Sequence, residues 1–351
     1  MILNFRFWFG LAVSIAFIFL LFHRVNLHEV QDALMAANYL HLIPAIALYF
    51  CAVFFRAIRW KYILHPIRTF RISRLYPVIV VGYMANNLLP VRLGELVRAY
   101  YLGKRERFSM STTFATIVIE RIYDGIALIV LGSLTIPVLW ATGALWDFSS
   151  DGVHLWVILA TVLCLTFAIL IFLLSLIANP NLSQDFIESV LARFPNTICE
   201  KVRSATSNFI SGLQILRKRE RHFGVFALSL PIWIFEAATY YTIGISFKLP
   251  SAFSEPSIFL AVSILITATS NLATSIPSTM GGIGPFEYVA QRTLVFIGIQ
   301  APLATAYVTF LHIVVLLVPV TLLGLFILWK ENMSLSRITR QTYEEEVKDL
   351  T

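Results

Sequence analysis

Eight apolar runs, at about 7–22, 39–63, 75–91, 112–139, 154–178, 223–245, 257–276 and 302–329, decide most of what this chain can become. Several reach the ~20 apolar residues that carry an α-helix across a hydrocarbon core. A bilayer offers no water to unpaired backbone groups, so such runs cross it as helices. The sequence therefore predicts an all-α, polytopic membrane protein. Composition agrees: 58% of the residues are hydrophobic and 13% are charged, against about 25% charged in ordinary soluble domains.

Two of the runs end in the same unusual way. The third closes on Asn86-Asn87-Leu88-Leu89-Pro90-Val91-Arg92-Leu93-Gly94-Glu95. The seventh closes on Asn271-Leu272-Ala273-Thr274-Ser275-Ile276-Pro277-Ser278-Thr279-Met280-Gly281-Gly282-Ile283-Gly284-Pro285-Phe286-Glu287. Each places Asn, Pro, Gly and Glu where a membrane helix would continue. Irregular backbone at that depth is tolerated only where it is buried in protein or lines a cavity. Paired Gly/Pro interruptions in two halves of a membrane protein point to a transport site. The short apolar stretches that follow, 93–103 and 284–298, are read as half-helices that re-enter or recross.

Basic residues orient the chain. Arg56, Arg59, Lys61, Arg68, Arg71 and Arg74 cluster at and after the end of the second run, and Lys104, Arg105 and Arg107 precede the fourth. Arg193, Lys201, Arg203, Arg217, Lys218, Arg219 and Arg221 lie in 179–222, and Lys330 closes the last run. The positive-inside rule places all of these in the cytoplasm, with the Lys/Arg-poor loops 140–153 and 246–256 outside. Both termini are then cytoplasmic, in a cell (inner) membrane. The first broken motif brings the chain back in and the second brings it back out. Four long runs precede the midpoint loop and four follow it, which is the arrangement of an inverted-topology repeat.

The sequence thus predicts one domain over 1–330, with half-repeats of about 1–140 and 154–330. Glu95-x-Val97-x4-Leu102 recurs as Glu287-x-Val289-x4-Leu294, and about 25 residues after each Glu stands a basic or imidazole side chain, Arg121 or His312. Residues 24–38 read as a polar amphipathic surface segment, 179–222 as a cytoplasmic amphipathic insert, and 331–351 as a polar tail. Phe22-His23-Arg24 offers no small-residue cleavage site, so the first run is read as a retained helix.

The net charge of +7 sits in short clusters between apolar runs, the pattern of loops facing anionic lipid rather than nucleic acid. Cys51, Cys164 and Cys199 lack metal-ligand spacing and read as packing residues. No cofactor or metal site is expected. HExxH, GxSxG, Walker A and CxxC are absent, which speaks against a recognisable enzyme.

Three charged constellations fall inside the apolar regions. Arg92, Glu95 and Arg98 are three apart, near one face of a helix. Glu120, Arg121 and Asp124 sit within the fourth run. Glu287 and Arg292 follow Gly281, Gly282 and Gly284. Charges at bilayer depth face a cavity or one another. As a cavity, Arg92, Arg98 and Arg121 offer bidentate donors to an anionic headgroup. Glu95, Glu120, Asp124 and Glu287 then balance the charge, bind an amine or carry protons, and the Gly-rich turn exposes backbone N–H groups as an anion site. As structure, Arg121 pairs with Glu95, Asp124 or Glu287 and locks the broken segments together. Glu236 reads as a lone acid, a proton carrier or a partner of Tyr240 or Tyr241. His312 reads as a hydrogen-bonded core residue, and Asn86, Asn87 and Asn271 as caps of broken helix ends.

These motifs carry a resemblance. Asn87-Leu88-Leu89-Pro90-Val91-Arg92-Leu93-Gly94-Glu95-Leu96-Val97-Arg98, then Glu120-Arg121-Ile122-Tyr123-Asp124, then Pro277 to Glu287, together with Arg59-Trp60, resemble the lysylphosphatidylglycerol synthase transmembrane family, also called the flippase-like domain family. The resemblance covers about 5–330. Some members join this membrane unit to a soluble domain that charges phosphatidylglycerol with an amino acid, and the membrane unit is thought to move the product across the bilayer. Here about 20 residues follow the last run, so a stand-alone member without the soluble transferase is expected. The resemblance implies a translocase of a phospholipid or lipid-linked glycan. Its partners are membrane lipids with an anionic headgroup, and its cavity includes Asn87, Pro90, Gly94 and Pro277 beside the charges above. Two rivals stand. One is an integral membrane transferase with Glu95, Glu120, Asp124 or Glu287 as general base. The other is a membrane partner that recruits a soluble synthase through 179–222.

Overall fold

The computed structural model describes residues 5–23, 25–89, 93–143, 219–275, 280–331 and 333. They form helices and turns, with no strand among them. In chain order the helices are α1 (Phe5–Phe22), α2 (Leu27–Met35), α3 (Leu42–Leu64), α4 (Ile72–Leu88), α5 (Gly94–Glu106) and α6 (Met110–Ala141). Then come α7 (Arg219–Ser246), α8 (Ile258–Ala273), α9 (Pro285–Phe296), α10 (Ala301–Phe310) and α11 (Val318–Lys330). The fifth apolar run, most of the 179–222 insert and the tail beyond 333 lie outside the described residues.

Among the described residues, four rods are long and apolar enough to cross a membrane: Tyr39–Leu64, Met110–Ala141, Glu220–Ser246 and Ala301–Lys330. The third and seventh runs become α4 and α8, of 17 and 16 residues, which end at the broken motifs. The stretches after them become the half-helices α5 and α9, of 13 and 12 residues. The amphipathic segment at 24–38 is α2, which buries Val30, partly buries Ala33 and Leu34, exposes its other residues and is bent 83° from α1.

The surface is apolar and the interior carries the charge. Phe19, Leu134 and Leu322 are each more than 60% exposed, while Arg56, Arg59, Glu120, Asp124 and Glu236 are buried. Such a surface suits lipid rather than water. Two arginines depart from the charge topology read in the sequence. Arg56 and Arg59 are not loop charges. They sit within α3 and point into the bundle, where acids of α6 and α7 hold them. Only Lys61 and the arginines after it remain to orient that end of the helix.

Helix packing follows a two-fold pattern. α3 packs most extensively on α7. α4 packs on α5 as α8 does on α9, and α3 on α4 as α7 does on α8. α6 lies against α8, and α11 lies against α4. Exchanging α3, α4, α5 and α6 with α7, α8, α9 and the α10–α11 rod maps the α3–α7 pair onto itself and each of the other pairs onto its mate. The last two contacts use the same device, a glycine that lets helices close up. A Cβ on Gly132 of α6 would stand 3.0 Å from the Ala268 side chain, and one on Gly324 of α11 would stand 2.5 Å from Met84. Gly132 lies at the same distance along the chain from Glu95 as Gly324 does from Glu287.

Local chemistry sets the breaks. The rod at Ala301–Lys330 widens into a π turn at Leu311–Leu317 before α11. Pro319 has no N–H, so the carbonyl of Val315, inside that turn, loses its ordinary helical partner. At the first motif α5 begins on Gly94, whose N–H donates to Oδ1 of Asn86 on α4 at 2.8 Å. The two helices approach so closely that a Cβ on Gly94 would lie 2.2 Å from the Gly82 carbonyl oxygen. Backbone cannot yield there as a side chain can. Gly94→Ala is expected to destabilise the protein by at least the ~1–3 kcal/mol of an overpacked core. An unshifted melting temperature of the purified variant in detergent would show that α4 and α5 separate freely.

Candidate functional site

The two broken motifs meet around one cavity of about 140 Å³. The first motif supplies Asn86, Asn87 and Glu95, and the second Asn271, Thr274, Gly281 and Gly282. α3 adds Tyr49 and Arg56, α6 adds Arg121, α7 adds Trp233 and Glu236, and the π turn adds His312. Gly281 and Gly282 have φ of +67° and +78°, a left-handed path that favours glycine. It turns the second motif over the end of the cavity, against Leu317 and Thr274.

Charged side chains in and behind the wall are matched. Arg56 donates from Nη2 to Glu236 at 2.5 Å and stacks 4.8 Å over Trp233. Arg59 grips Asp124 with two bonds, 2.6 and 3.1 Å, and donates to Ser229 at 2.8 Å. Arg98 meets Glu120 at 2.6 Å and lies 3.7 Å over the Trp60 ring, whose Nε1 donates to Thr116. Arg121 reaches Glu95 at 3.9 Å and Asp124 at 3.8 Å. Four guanidinium groups thus face the four carboxylates of Glu95, Glu120, Asp124 and Glu236. Buried charges persist only when so paired and bonded.

This geometry sorts the residues singled out in the sequence. Asn87, Glu95, Arg121, Gly281 and Gly282 line the cavity. Arg98, Glu120 and Asp124 do not: their charges are consumed by α3–α6 and α5–α6 ion pairs, so Arg98 is not placed to receive a headgroup. Gly94 lies at the α4–α5 crossing. Gly284 packs on Ser14 and Phe17 of α1. Its N–H, part of the expected anion site, already donates to Oε2 of Glu287 at 2.7 Å. Glu287 touches the cavity through His312, whose Nδ1 is 2.6 Å from its Oε1. Pro90, Arg92 and Pro277 lie outside the described residues.

Other readings shift as well. Glu236 is not a lone acid, and its partner is Arg56 rather than a tyrosine. Asn86 caps α5, whereas Asn87 donates to the Leu317 carbonyl and Thr321, and Asn271 to the Tyr240 hydroxyl and the Thr267 carbonyl. Those two asparagines are cross-braces, not caps. Sequence reasoning missed Tyr49, Arg56, Tyr83 and Trp233 in the wall. The signal for Arg56 was present: a second arginine one turn before Arg59-Trp60, inside an apolar run.

Polar valences remain in the wall. Oε2 of Glu95, Nε of Arg121 and Nε1 of Trp233 are buried and make no hydrogen bond among the described residues. Arg121 keeps 37% of its side chain exposed, unlike the other three arginines of the cluster. The residues that line the cavity therefore include a carboxylate, a cation and an indole.

Comparison with known proteins places this architecture. A UPF0104 membrane protein of Methanothermobacter thermautotrophicus is 28% identical over 292 residues, covering 79% of this chain and 82% of the relative. A UPF0104 membrane protein of Pyrococcus horikoshii is 22% identical over 93% of the chain and 98% of its own length. Glycosyltransferase AglD of Haloferax volcanii is 24% identical over 85% of this chain, which spans about half (49%) of that protein. Residues 7–324 match the lysylphosphatidylglycerol synthase TM region. The chain is a multi-pass membrane protein and belongs to the lysylphosphatidylglycerol synthase transmembrane family.

Proposed function

We propose that this chain translocates a lipid, a phospholipid or lipid-linked glycan, across a cell membrane, with its headgroup in the cavity between the broken motifs and its tails in the bilayer. The unpaired Glu95 Oε2, Arg121 Nε and Trp233 Nε1 on the cavity wall carry this reading. Buried polar atoms without partners are rare in native proteins; among the described residues they also occur on Arg59, Arg98, Glu120, Gln291, Arg292 and Thr309, but these three belong to side chains that line the cavity. Arg121 takes the phosphate, with Arg56, its charge matched by Glu236, in the same wall. Glu95 accepts from an amine or hydroxyl of the same headgroup. The exchange symmetry of the packing supports an inverted repeat whose halves rock to alternate access, with both termini on the cytoplasmic side.

Purified protein in phosphatidylethanolamine/phosphatidylglycerol vesicles is expected to speed transbilayer movement of a fluorescent phosphatidylglycerol or of a polyprenyl-phosphate sugar. Glu95→Gln removes one charge-assisted contact, worth about 1.5–3 kcal/mol, and is expected to slow that movement about tenfold or more. Rates equal to those of protein-free vesicles for both lipids would sink the translocase.

The similarity to a glycosyltransferase supports a second reading, a transferase acting on a lipid-linked donor with Glu95 as general base. Sugar transfer from labelled donor by the purified chain, abolished in Glu95→Gln, would favour it.

A further inference from the structure

The two motifs are built alike except in one respect. In the first, Glu95 of α5 faces Arg121 of α6. In the second, Glu287 of α9 meets His312 of the π turn. Each acid stands in the first turn of a half-helix, and each base about 25 residues later on the rod that follows. A guanidinium keeps its proton throughout the physiological range, whereas an imidazole changes charge between about pH 5 and 8. One half holds a permanent ion pair and the other a titratable one.

The geometry around His312 suits a proton carrier. Its side chain is almost fully buried, yet it belongs to the cavity wall. The ring stacks on Phe286 with centroids 3.9 Å apart and planes 16° apart. The Gly284 N–H fixes the Glu287 carboxylate opposite. A carboxylate only accepts, so the 2.6 Å contact holds a proton on Nδ1 and leaves Nε2 as the nitrogen that gains and loses one. Single π turns inside helices recur at functional sites, and this one carries the imidazole.

The groups around His312 leave its charge to decide the sign of the wall. α3 presents Tyr49 and Arg56, and α4 presents Tyr83. α5 and α6 present the Glu95–Arg121 pair, and α7 presents Glu236, already bound to Arg56. On α10 the Tyr307 hydroxyl donates to the Tyr240 carbonyl, and α11 has no charged side chain before Lys330. Two arginines offset two carboxylates among these. The His312–Glu287 pair then adds one negative charge when the ring is neutral and none when it is imidazolium.

We infer that His312 and Glu287 form a proton-binding site that couples headgroup entry to protonation. With Nε2 protonated the wall is neutral and admits an anionic headgroup. With that proton released, the bare charge of Glu287 repels it. This deepens the translocase reading and rests on it.

The site is tested in two ways. In the full chain labelled with ¹⁵N-histidine in detergent, the His312→Gln spectrum identifies the His312 signals. They are expected to shift with pH over the interval in which the folded chain is stable, and signals unchanged across that interval overturn the proton site. In vesicles, phosphatidylglycerol movement by the native chain is expected to vary over the same interval. His312→Arg, which copies Arg121 and keeps Glu287 paired, is expected to flatten that profile, as is His312→Gln. A native-like profile in a folded His312→Arg protein overturns the coupling. Absence of movement at every pH removes the translocase and the coupling with it, while the titration still decides whether His312 exchanges a proton.

Discussion

Arg59→Leu is expected to lower stability by about 3–5 kcal/mol, the range found when one partner of a buried ion pair is removed. Arg59 is 1% exposed. It joins α3 to Asp124 of α6 by two bonds and to Ser229 of α7 by a third. Without it, Glu120 and Asp124 keep Arg98, Arg56 and Arg121, but four carboxylates would share three guanidinium groups. Arg59→Lys is expected to recover little, since an ammonium cannot reproduce the planar fork that grips both Asp124 oxygens. Thermal melting of the purified variants in detergent measures this. A melting temperature close to that of the native chain would show that the network is solvated and that its charges are not buried partners.

Arg121→Ala is expected to give a different balance: translocation lowered ten- to a hundredfold with a smaller loss of stability than Arg59→Leu, because its ion pairs are longer and its side chain less buried. Arg121 makes only long contacts, 3.8 and 3.9 Å, and keeps more than a third of its side chain exposed toward the cavity. Its loss removes little that holds helices together, whereas a phosphate in the cavity loses a charge-assisted donor worth about 1.5–3 kcal/mol. The pair of variants separates structure from function within one cluster. Equal translocation by Arg121→Ala and the native chain would take the headgroup away from this wall.

How much of this was legible depends on the range over which each contact acts. The broken motifs were, because Asn, Pro and Gly in an apolar run conflict with helix continuity over a few residues. The matching of Glu95 with Arg121 and of Glu287 with His312 was visible as a repeated spacing, and the structure joins both pairs. Arg56 and Arg59 were misassigned to a cytoplasmic cluster because a positive charge near a helix end reads the same whether it faces water or a buried acid. Their acids lie 180 and 65 residues away in sequence. Arg98 reads as a headgroup ligand and Asp124 as a cavity acid for the same reason: their partners Glu120 and Arg59 stand on other helices.

The sequence by itself determined that this chain crosses a membrane as helices, that two of those helices break, and which residue types stand at the breaks. Hydrophobicity and backbone hydrogen bonding enforce these things locally, and no distant residue can revoke them. Only the tertiary structure decided which charges lock the bundle and which face the cavity. Buried arginines and carboxylates take their roles from whichever opposite charge lies within a few ångströms, and that is set by the packing of α3 on α7 and of the two half-helices on the rods that follow them.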